Sequence, residues 1–238
     1  TIFYPLPQEI KDQLKLKWGV HGKFVIGCVA RNQPRKMMDV TIKAFAKFAK
    51  DKDDVVLLLH MDPFDVAAPF NIDFLIKELG IENKVLYTGI KYFAGFPYEM
   101  MREIYNLFDC FCMLTSGEGF GIPIIEAMAC EIPVVITDYT TTQELIEENG
   151  KCGESVKLAG TDSFPRYDPD GISFNTWTGS WNVERGRADI YDAVNKLNKL
   201  YYDQSLCETY GKTGRRKVER FYTWNKVIPE WDKLFREM

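Results

Sequence analysis

Two basic residues follow the first predicted strand closely enough to share one anion. Arg31 and Lys36 lie in the segment RNQPRK, directly after the apolar run at 23–30. A turn predicted at Pro34 separates them, and the helix expected to follow would point free backbone N–H groups to the same place. This pattern favours binding of a diphosphate. The alternative is a solvated turn in which Arg31, Arg35 and Lys36 contact only water.

Two carboxylates lie in the glycine-rich segment SGEGFGIPIIEAMA (116–129), which follows another apolar run at 109–115. Glycines let a backbone approach a ligand closely, and a helix is predicted from Pro123 onward. Glu118 lies in the loop, whereas Glu126 lies about one turn into that helix and needs hydrogen-bond donors, which ribose hydroxyls can supply. The alternative for Glu126 is a favourable interaction with the helix dipole, of about 0.3–1 kcal/mol.

The elements that would position these residues alternate between strand and helix. Strands that are apolar on both faces and alternate with helices indicate right-handed βαβ units, and so an α/β fold with a doubly wound parallel sheet. Such sheets bind ligands beyond the carboxyl ends of their strands, where both loops lie. The predicted strands are 23–30, 54–60, 84–88, 109–115 and 132–137, and the predicted helices are 37–50, 71–80, 97–108 and 123–130.

The last third of the chain departs from this alternation. Residues 157–184 are rich in Gly, Ser, Thr, Asp and Pro yet contain tryptophans, which is typical of an ordered surface insertion. Two helices are predicted at 187–202 and 204–221. The aromatic tail at 221–235 predicts one more helix, packed on the core.

Composition argues against several classes of partner. A net charge of −4 without a basic run argues against nucleic acid, and no apolar stretch approaches the roughly 20 residues of a membrane span. The first residues lack the layout of a signal peptide, so a cytoplasmic location is expected. None of the six cysteines belongs to a CxxC pair, so reduced thiols without zinc are expected.

Several segments together resemble the family 4 retaining glycosyltransferases. EGFGIPIIE (118–126) is similar to the E-x7-E element of that family, and VARNQPRK (29–36) to its phosphate-binding arginine and lysine. VLYTG and PVVITDYTTTQEL occupy the corresponding places before and after the E-x7-E element. The resemblance covers about residues 20–147 and, more loosely, the C-terminal helices.

The resemblance implies one half of a GT-B enzyme, in which two Rossmann-like domains face each other. This chain corresponds to the C-terminal domain, which binds a nucleotide sugar, here a UDP- or GDP-sugar. The implied reaction transfers the sugar to an acceptor with retention, and no metal or other cofactor is implied. The family's N-terminal acceptor domain has no counterpart in these 238 residues. The isolated chain is therefore expected to be inactive, and any peripheral membrane contact would come through the acceptor domain.

The resemblance also implies domain boundaries. Residues 1–22 would be a remnant of the interdomain linker with a leading helix. Residues 23–221 would form the donor-binding domain, including the insertion at 157–184. Residues 222–238 would form a C-terminal crossover helix.

The family's functional residues transfer to specific positions. Arg31 and Lys36 would neutralise the departing diphosphate and Glu118 would lie near the donor sugar, so these three are the expected catalytic residues. Glu126 would hold the ribose hydroxyls. The other expected donor contacts are the backbone amides of Gly119, Phe120, Gly121 and Ile122, on sugar or phosphate, and the segment Gly89, Ile90 and Lys91, near the base.

Other interpretations remain open at this point. The chain could be a nucleotide-sugar-binding module without catalysis, a GT-B sugar-nucleotide epimerase or a dinucleotide-dependent oxidoreductase. The epimerase interpretation expects a histidine that LTSGEGFGIP lacks, and the oxidoreductase interpretation expects GxGxxG where ARNQPRK stands. His21 and His60 match no family motif and are expected to be structural. Asp168 and Asp170 form a D-x-D pattern typical of a turn.

The chain also departs from the family at two places. Thr140 and Thr141 stand where the family has two glycines, and LLLHMDPFD follows the second predicted strand where glycines are common.

Overall fold

The central element is a parallel sheet with β1 in its interior. A computed structural model of the chain describes residues 2–91, 94–159, 176–178 and 183–237. Six strands pair in the order β3-β2-β1-β4-β5-β6, and every pair is parallel. These strands are β1 Phe24–Val29, β2 Val55–His60, β3 Val85–Tyr87, β4 Cys110–Met113, β5 Val134–Thr137 and β6 Gly153–Val156.

Burial explains why these segments form central strands. Every residue of β1, β2, β4 and β5 is buried, as expected where helices cover both faces of a sheet. At Gly27 a Cβ atom would lie 2.2 Å from the Phe108 ring, so only glycine lets that ring pack directly against β1.

The helices follow the strands in the predicted alternation. Contacts join α7 to α2 and α8 to α5, which brings the C-terminal helices against the helices of the predicted binding loops. The α-helices are α1 Gln8–Lys17, α2 Met38–Phe48, α3 Ile72–Glu78, α4 Tyr98–Tyr105, α5 Ile122–Ala129, α6 Thr142–Glu147, α7 Ile190–Tyr202, α8 Gln204–Lys217 and α9 Trp224–Glu237.

The predicted doubly wound α/β sheet is confirmed, and all five predicted strands lie where expected. Three elements were not predicted: α6, β6, and an antiparallel ribbon of β7 Thr176–Thr178 and β8 Val183–Arg185. That ribbon lies in the predicted insertion, most of which falls outside the described residues, as do Asp168 and Asp170.

The predicted packing of the aromatic tail is wrong. Its helix, α9, forms as expected, but it contains no buried residue. Trp224 is 75% exposed and Trp231 is 54% exposed. An amphipathic pattern predicts that the apolar face of a helix packs on an apolar surface, but it does not identify that surface.

Two features are absent from the described part of the chain. No helix there is long and apolar enough to cross a membrane. Nor do three or more His, Cys, Asp or Glu side chains cluster there in a way that could hold a metal ion.

Candidate functional site

The loops after β1 and β4 meet where the strand order reverses. The strand that follows β1 in sequence lies on one side of it and β4 on the other, so the crevice between their carboxyl ends is the switch point of the sheet. A 3-10 turn, Pro34–Lys36, follows β1 there, and the glycine loop 116–121 follows β4. The structure therefore brings together the two segments that carry the predicted chemistry.

Glu118 is the shared acceptor of two cations in this crevice. Its Oε1 atom lies 2.7 Å from Lys36 Nζ and 2.8 Å from Arg35 Nη1. The Glu118 side chain is only 6% exposed and that of Lys36 is 9% exposed. The three charges thus form a largely buried cluster with one excess positive charge.

The electrostatics of Glu118 follow from these contacts. Burial alone raises the pKa of a carboxyl group, because it disfavours the charged form. The hydrogen bonds from Lys36 and Arg35 outweigh that effect, and the net pKa of Glu118 lies below its usual value. Glu118 is therefore ionised at neutral pH.

The glycine loop presents unengaged backbone donors beside this cluster. Gly121 has a φ of 88° and precedes α5, in which Pro123 occupies the first turn. Within the described residues, the N–H groups of Gly119, Phe120, Gly121 and Ile122 donate no hydrogen bond. Free amides at a helix N-terminus attract an anion.

Two threonines of the loop after β5 support the glycine loop. Thr140 Oγ1 accepts a hydrogen bond from the Glu118 N–H at 3.0 Å, and Thr141 Oγ1 donates to the Glu118 carbonyl at 3.4 Å. Thr140 has a φ of 62°, a left-handed conformation that is unusual for a β-branched residue. Thr140 therefore combines a left-handed backbone conformation with a hydroxyl that contacts the glycine loop.

Glu126 has a protein donor that the sequence did not reveal. Its Oε2 atom accepts a hydrogen bond from the Tyr105 hydroxyl at 2.7 Å, and Tyr105 on α4 is completely buried. Burial raises the pKa of Glu126, and the Tyr105 hydroxyl offsets this effect only in part. The remaining acceptor capacity of the carboxylate is available to a ligand.

Arg31 has a different carboxylate partner from Lys36. Its Nη2 atom donates to Asp65 Oδ1 at 3.0 Å, and its Nε atom donates to Oδ2 of the same residue. The Arg31 side chain is 47% exposed and that of Asp65 is 1% exposed. The hydrogen bond from Arg31 is the largest cause of the lowered pKa of Asp65.

The loop after β3 contributes the predicted base-binding segment. Gly89 has a φ of 78°, and Lys91 Nζ lies 5.8 Å from the centroid of the Phe64 ring, which is 67% exposed. Residues 92–93 lie outside the described part of the chain. An exposed aromatic ring after β2 thus lies beside the predicted base-binding segment.

His60 is a structural residue, as predicted. It is 7% exposed, and its Nδ1 atom lies 2.8 Å from Thr88 Oγ1. Burial lowers its pKa to about 4, so the ring is neutral at physiological pH. His21 is exposed.

The insertion returns to the glycine loop at its C-terminal end. Gly186 N–H donates to the Ser116 carbonyl at 3.2 Å, and Arg187 Nη2 donates to Asp39 Oδ2, in the first turn of α2, at 2.9 Å. Arg185 Nη1 lies 3.4 Å from the position that a Cβ atom of Gly117 would take. No sequence signal indicated this proximity, because more than 60 residues separate the two segments.

Comparison with known proteins identifies the family. Residues 11–161 match the family model described as "Glycosyl transferases group 1". The chain belongs to this family.

Curated group 1 relatives are similar along most of this chain. It is 29% identical over 228 residues to N-acetyl-alpha-D-glucosaminyl L-malate synthase of Bacillus anthracis, covering 95% of this chain and 49% of that protein. It is 29% identical over 223 residues to the capsular polysaccharide biosynthesis glycosyltransferase CapM of Staphylococcus aureus, covering 91% and 47%. The chain thus spans about half the length, or less, of the curated relatives it matches.

Solved structures show the same fold at low identity. The C-terminal domain of a glycosyl transferase group 1 family protein (LpcC) from Francisella tularensis has a TM-score of 0.68 at 21% identity, covering 94% of this chain and 97% of that domain. Anabaena Alr3699/HepE in complex with UDP and glucose has a TM-score of 0.73 at 18% identity, covering 99% of this chain and 54% of that one. The fold is therefore the Rossmann-like domain of GT-B glycosyltransferases.

Proposed function

We propose that this chain is the donor-binding domain of a family 4 retaining glycosyltransferase, which transfers a sugar from a UDP- or GDP-sugar to an acceptor. The observation that carries the proposal is the cluster of Lys36, Arg35 and Glu118 beside the free amides of the glycine loop. The glycosyltransferase CapM among the relatives supports the reaction class, and HepE, solved with UDP-glucose, supports the donor class. No resident cofactor is included, since the nucleotide sugar is the substrate.

The proposed chemistry follows from where charge develops. Breaking the anomeric bond leaves negative charge on the diphosphate and positive charge on the sugar ring. Lys36 and the amides of Gly119 to Ile122 would stabilise the departing diphosphate in a largely buried site, where such interactions are strong. Glu118 would contact the donor sugar, and Glu126 would hold the ribose hydroxyls. Retention of configuration is the part of the proposal that rests on the resemblance to the family 4 enzymes.

Arg31, which is paired with a carboxylate, also has a role in this scheme. Its pairing with Asp65 holds its guanidinium next to the loop after β2, and 47% of the side chain remains exposed. We assign it to the diphosphate together with Lys36, because a guanidinium group stays positively charged and matches the geometry of a phosphate.

An acceptor-binding domain would complete the enzyme. The curated relatives are about twice as long as the stretch that this chain matches, which supports such a domain. The exposed apolar face of α9, with Trp224, Ile228 and Trp231, supports a crossover helix that contacts it. The chain alone would then bind the donor without transferring the sugar, and a cytoplasmic location belongs to the same proposal.

Isothermal titration calorimetry with UDP, GDP and their hexose derivatives tests the proposal. We expect the chain to bind at least one of these nucleotides, and Lys36→Ala to weaken that binding at least about tenfold, through loss of a charge-assisted contact. The matched control is Lys50→Ala, an exposed lysine beyond the other end of α2, which should leave the affinity unchanged. Absence of binding to every member of the panel would refute the donor class.

A further inference from the structure

Arg35 joins the two loops of the candidate site through both its backbone and its side chain. Its carbonyl oxygen accepts hydrogen bonds from Ser116 N at 2.9 Å, Ser116 Oγ at 2.8 Å and Thr115 Oγ1 at 3.1 Å. Its Nη1 atom donates to the Gly117 carbonyl at 2.6 Å and lies 2.8 Å from Glu118 Oε1. Arg35 thus contacts four consecutive residues, Thr115 to Glu118, at the start of the glycine loop.

The net charge of the cluster depends on the contact between Arg35 and Glu118. Without Arg35, Lys36 and Glu118 would form a neutral, nearly buried pair. A diphosphate would then have to compete with Glu118 for the Lys36 ammonium group. With Arg35 present, Glu118 keeps a cationic partner when Lys36 turns to the diphosphate, and the cluster keeps its excess positive charge.

We infer that Arg35 is a positioning residue of the donor site, which holds the Gly117 carbonyl and the Glu118 carboxylate so that Lys36 can engage the diphosphate. The inference rests on the proposed function and names a residue beyond the roles assigned there. Arg35 acts through Glu118, and its guanidinium does not need to contact the donor. The Arg35 side chain is 34% exposed, whereas Glu118 and Lys36 are nearly buried.

A double-mutant cycle separates this role from a direct or purely structural one. Calorimetric affinities for UDP and GDP would be measured on the full chain carrying Arg35→Gln, Glu118→Gln, or both. We expect Arg35→Gln to weaken binding of the preferred nucleotide about tenfold, because Glu118 then competes for Lys36. In the Glu118→Gln background the same change should cost less than about twofold, because the competing charge is gone.

Two further variants control the cycle. Arg35→Lys should retain part of the affinity, since a lysine keeps the charge that pairs with Glu118 but lacks the planar guanidinium group. Arg216→Gln, an exposed arginine on α8, should change nothing. Thermal unfolding of each variant would show that the fold is intact.

Failure of the inference and failure of the proposed function would give different results. An equal loss from Arg35→Gln in both backgrounds would overturn the inference, since Arg35 would then act on the diphosphate directly or only on the fold. An unaffected Arg35→Gln variant would also overturn it while leaving the proposed function intact. A wild-type chain that binds neither nucleotide would refute both.

Discussion

At the residue scale, the pKa values of the two glutamates of the E-x7-E element are shifted in opposite directions. Glu118 has two cationic partners and a lowered pKa, whereas Glu126 has one hydroxyl partner and a raised pKa. Glu118 is thus stabilised by the protein itself. The ionised form of Glu126 lacks comparable compensation until a ligand supplies donors.

Glu126→Gln tests this difference. A carboxyl whose folded pKa lies above its unfolded value costs no stability below the unfolded pKa, and the cost appears as pH rises through the folded pKa. The amide oxygen of glutamine can still accept from Tyr105. At pH 7 we therefore expect the variant to unfold about 1–3 °C higher than the wild type, while its nucleotide affinity falls about tenfold.

The pH dependence provides the control for Glu126. The gain in unfolding temperature should disappear by about pH 3, where the wild-type carboxyl is also neutral. Glu82→Gln, at an exposed position, should show neither effect. A Glu126→Gln protein that is less stable than the wild type at pH 7 would contradict the assignment.

Sequence reasoning indicated the residues of the candidate site but not their partners in the fold. Lys36, Glu118 and Glu126 were recognised because glycines, a proline and a preceding apolar strand mark their loops. Arg35 was named only in the alternative of a solvated turn, because contacts with residues about 80 positions away leave no local pattern. Tyr105 was missed for the same reason, since Tyr105 and Glu126 lie on different helices and meet only in the folded chain.

At the element scale, the glycine loop depends on backbone conformation at Gly121. Gly121 has a φ of 88°, and an added Cβ atom would lie 2.8 Å from Ile124 Cδ1 and 3.3 Å from Leu145 Cδ1. Both neighbours are buried, so neither can move without disturbing the core. This one residue therefore fixes the direction in which α5 begins.

Gly121→Ala should destabilise the chain by about 1–2 kcal/mol, through backbone strain and overpacking. Chemical denaturation monitored by circular dichroism would measure the change. Gly95→Ala is the matched control, because a Cβ atom there meets nothing within 4 Å. Equal stability of the two variants would show that the loop tolerates another conformation.

Two short elements, α6 and β6, were not predicted from the sequence. The buried strands were found because β-branched and apolar residues fill them. The helix α6 and the strand β6 were not found, since TTTQELIEENGKCGESV is polar, and both elements are short. Pairing with β5 sets the position of β6, and α6 packs against these two strands.

At the scale of the whole molecule, α9 is the element that the described residues leave uncovered. Its apolar side chains include Trp224, Ile228, Trp231 and Phe235, each more than half exposed. Its sequence pattern predicted the helix correctly, but the predicted packing on the core was wrong. The proposed acceptor domain would supply the missing surface.

Trp231→Ala should leave the stability of this chain unchanged within about 0.5 kcal/mol, because the side chain loses little burial. Phe45→Ala is the contrasting variant: Phe45 is 1% exposed, and its loss should cost about 3–5 kcal/mol. Both values come from denaturant unfolding. A loss of 2 kcal/mol or more from Trp231→Ala would place the helix on this domain's core instead.

We propose above that one crevice, between the carboxyl ends of β1 and β4, binds a nucleotide diphosphate. A crystal structure of the chain with UDP or GDP tests it most directly. We predict that the diphosphate contacts Lys36 Nζ and the amides of Gly119 to Ile122, that the ribose hydroxyls donate to Glu126, and that Arg35 remains bound to Glu118. A nucleotide bound away from the glycine loop, or a Glu126 without ribose contact, would contradict the account.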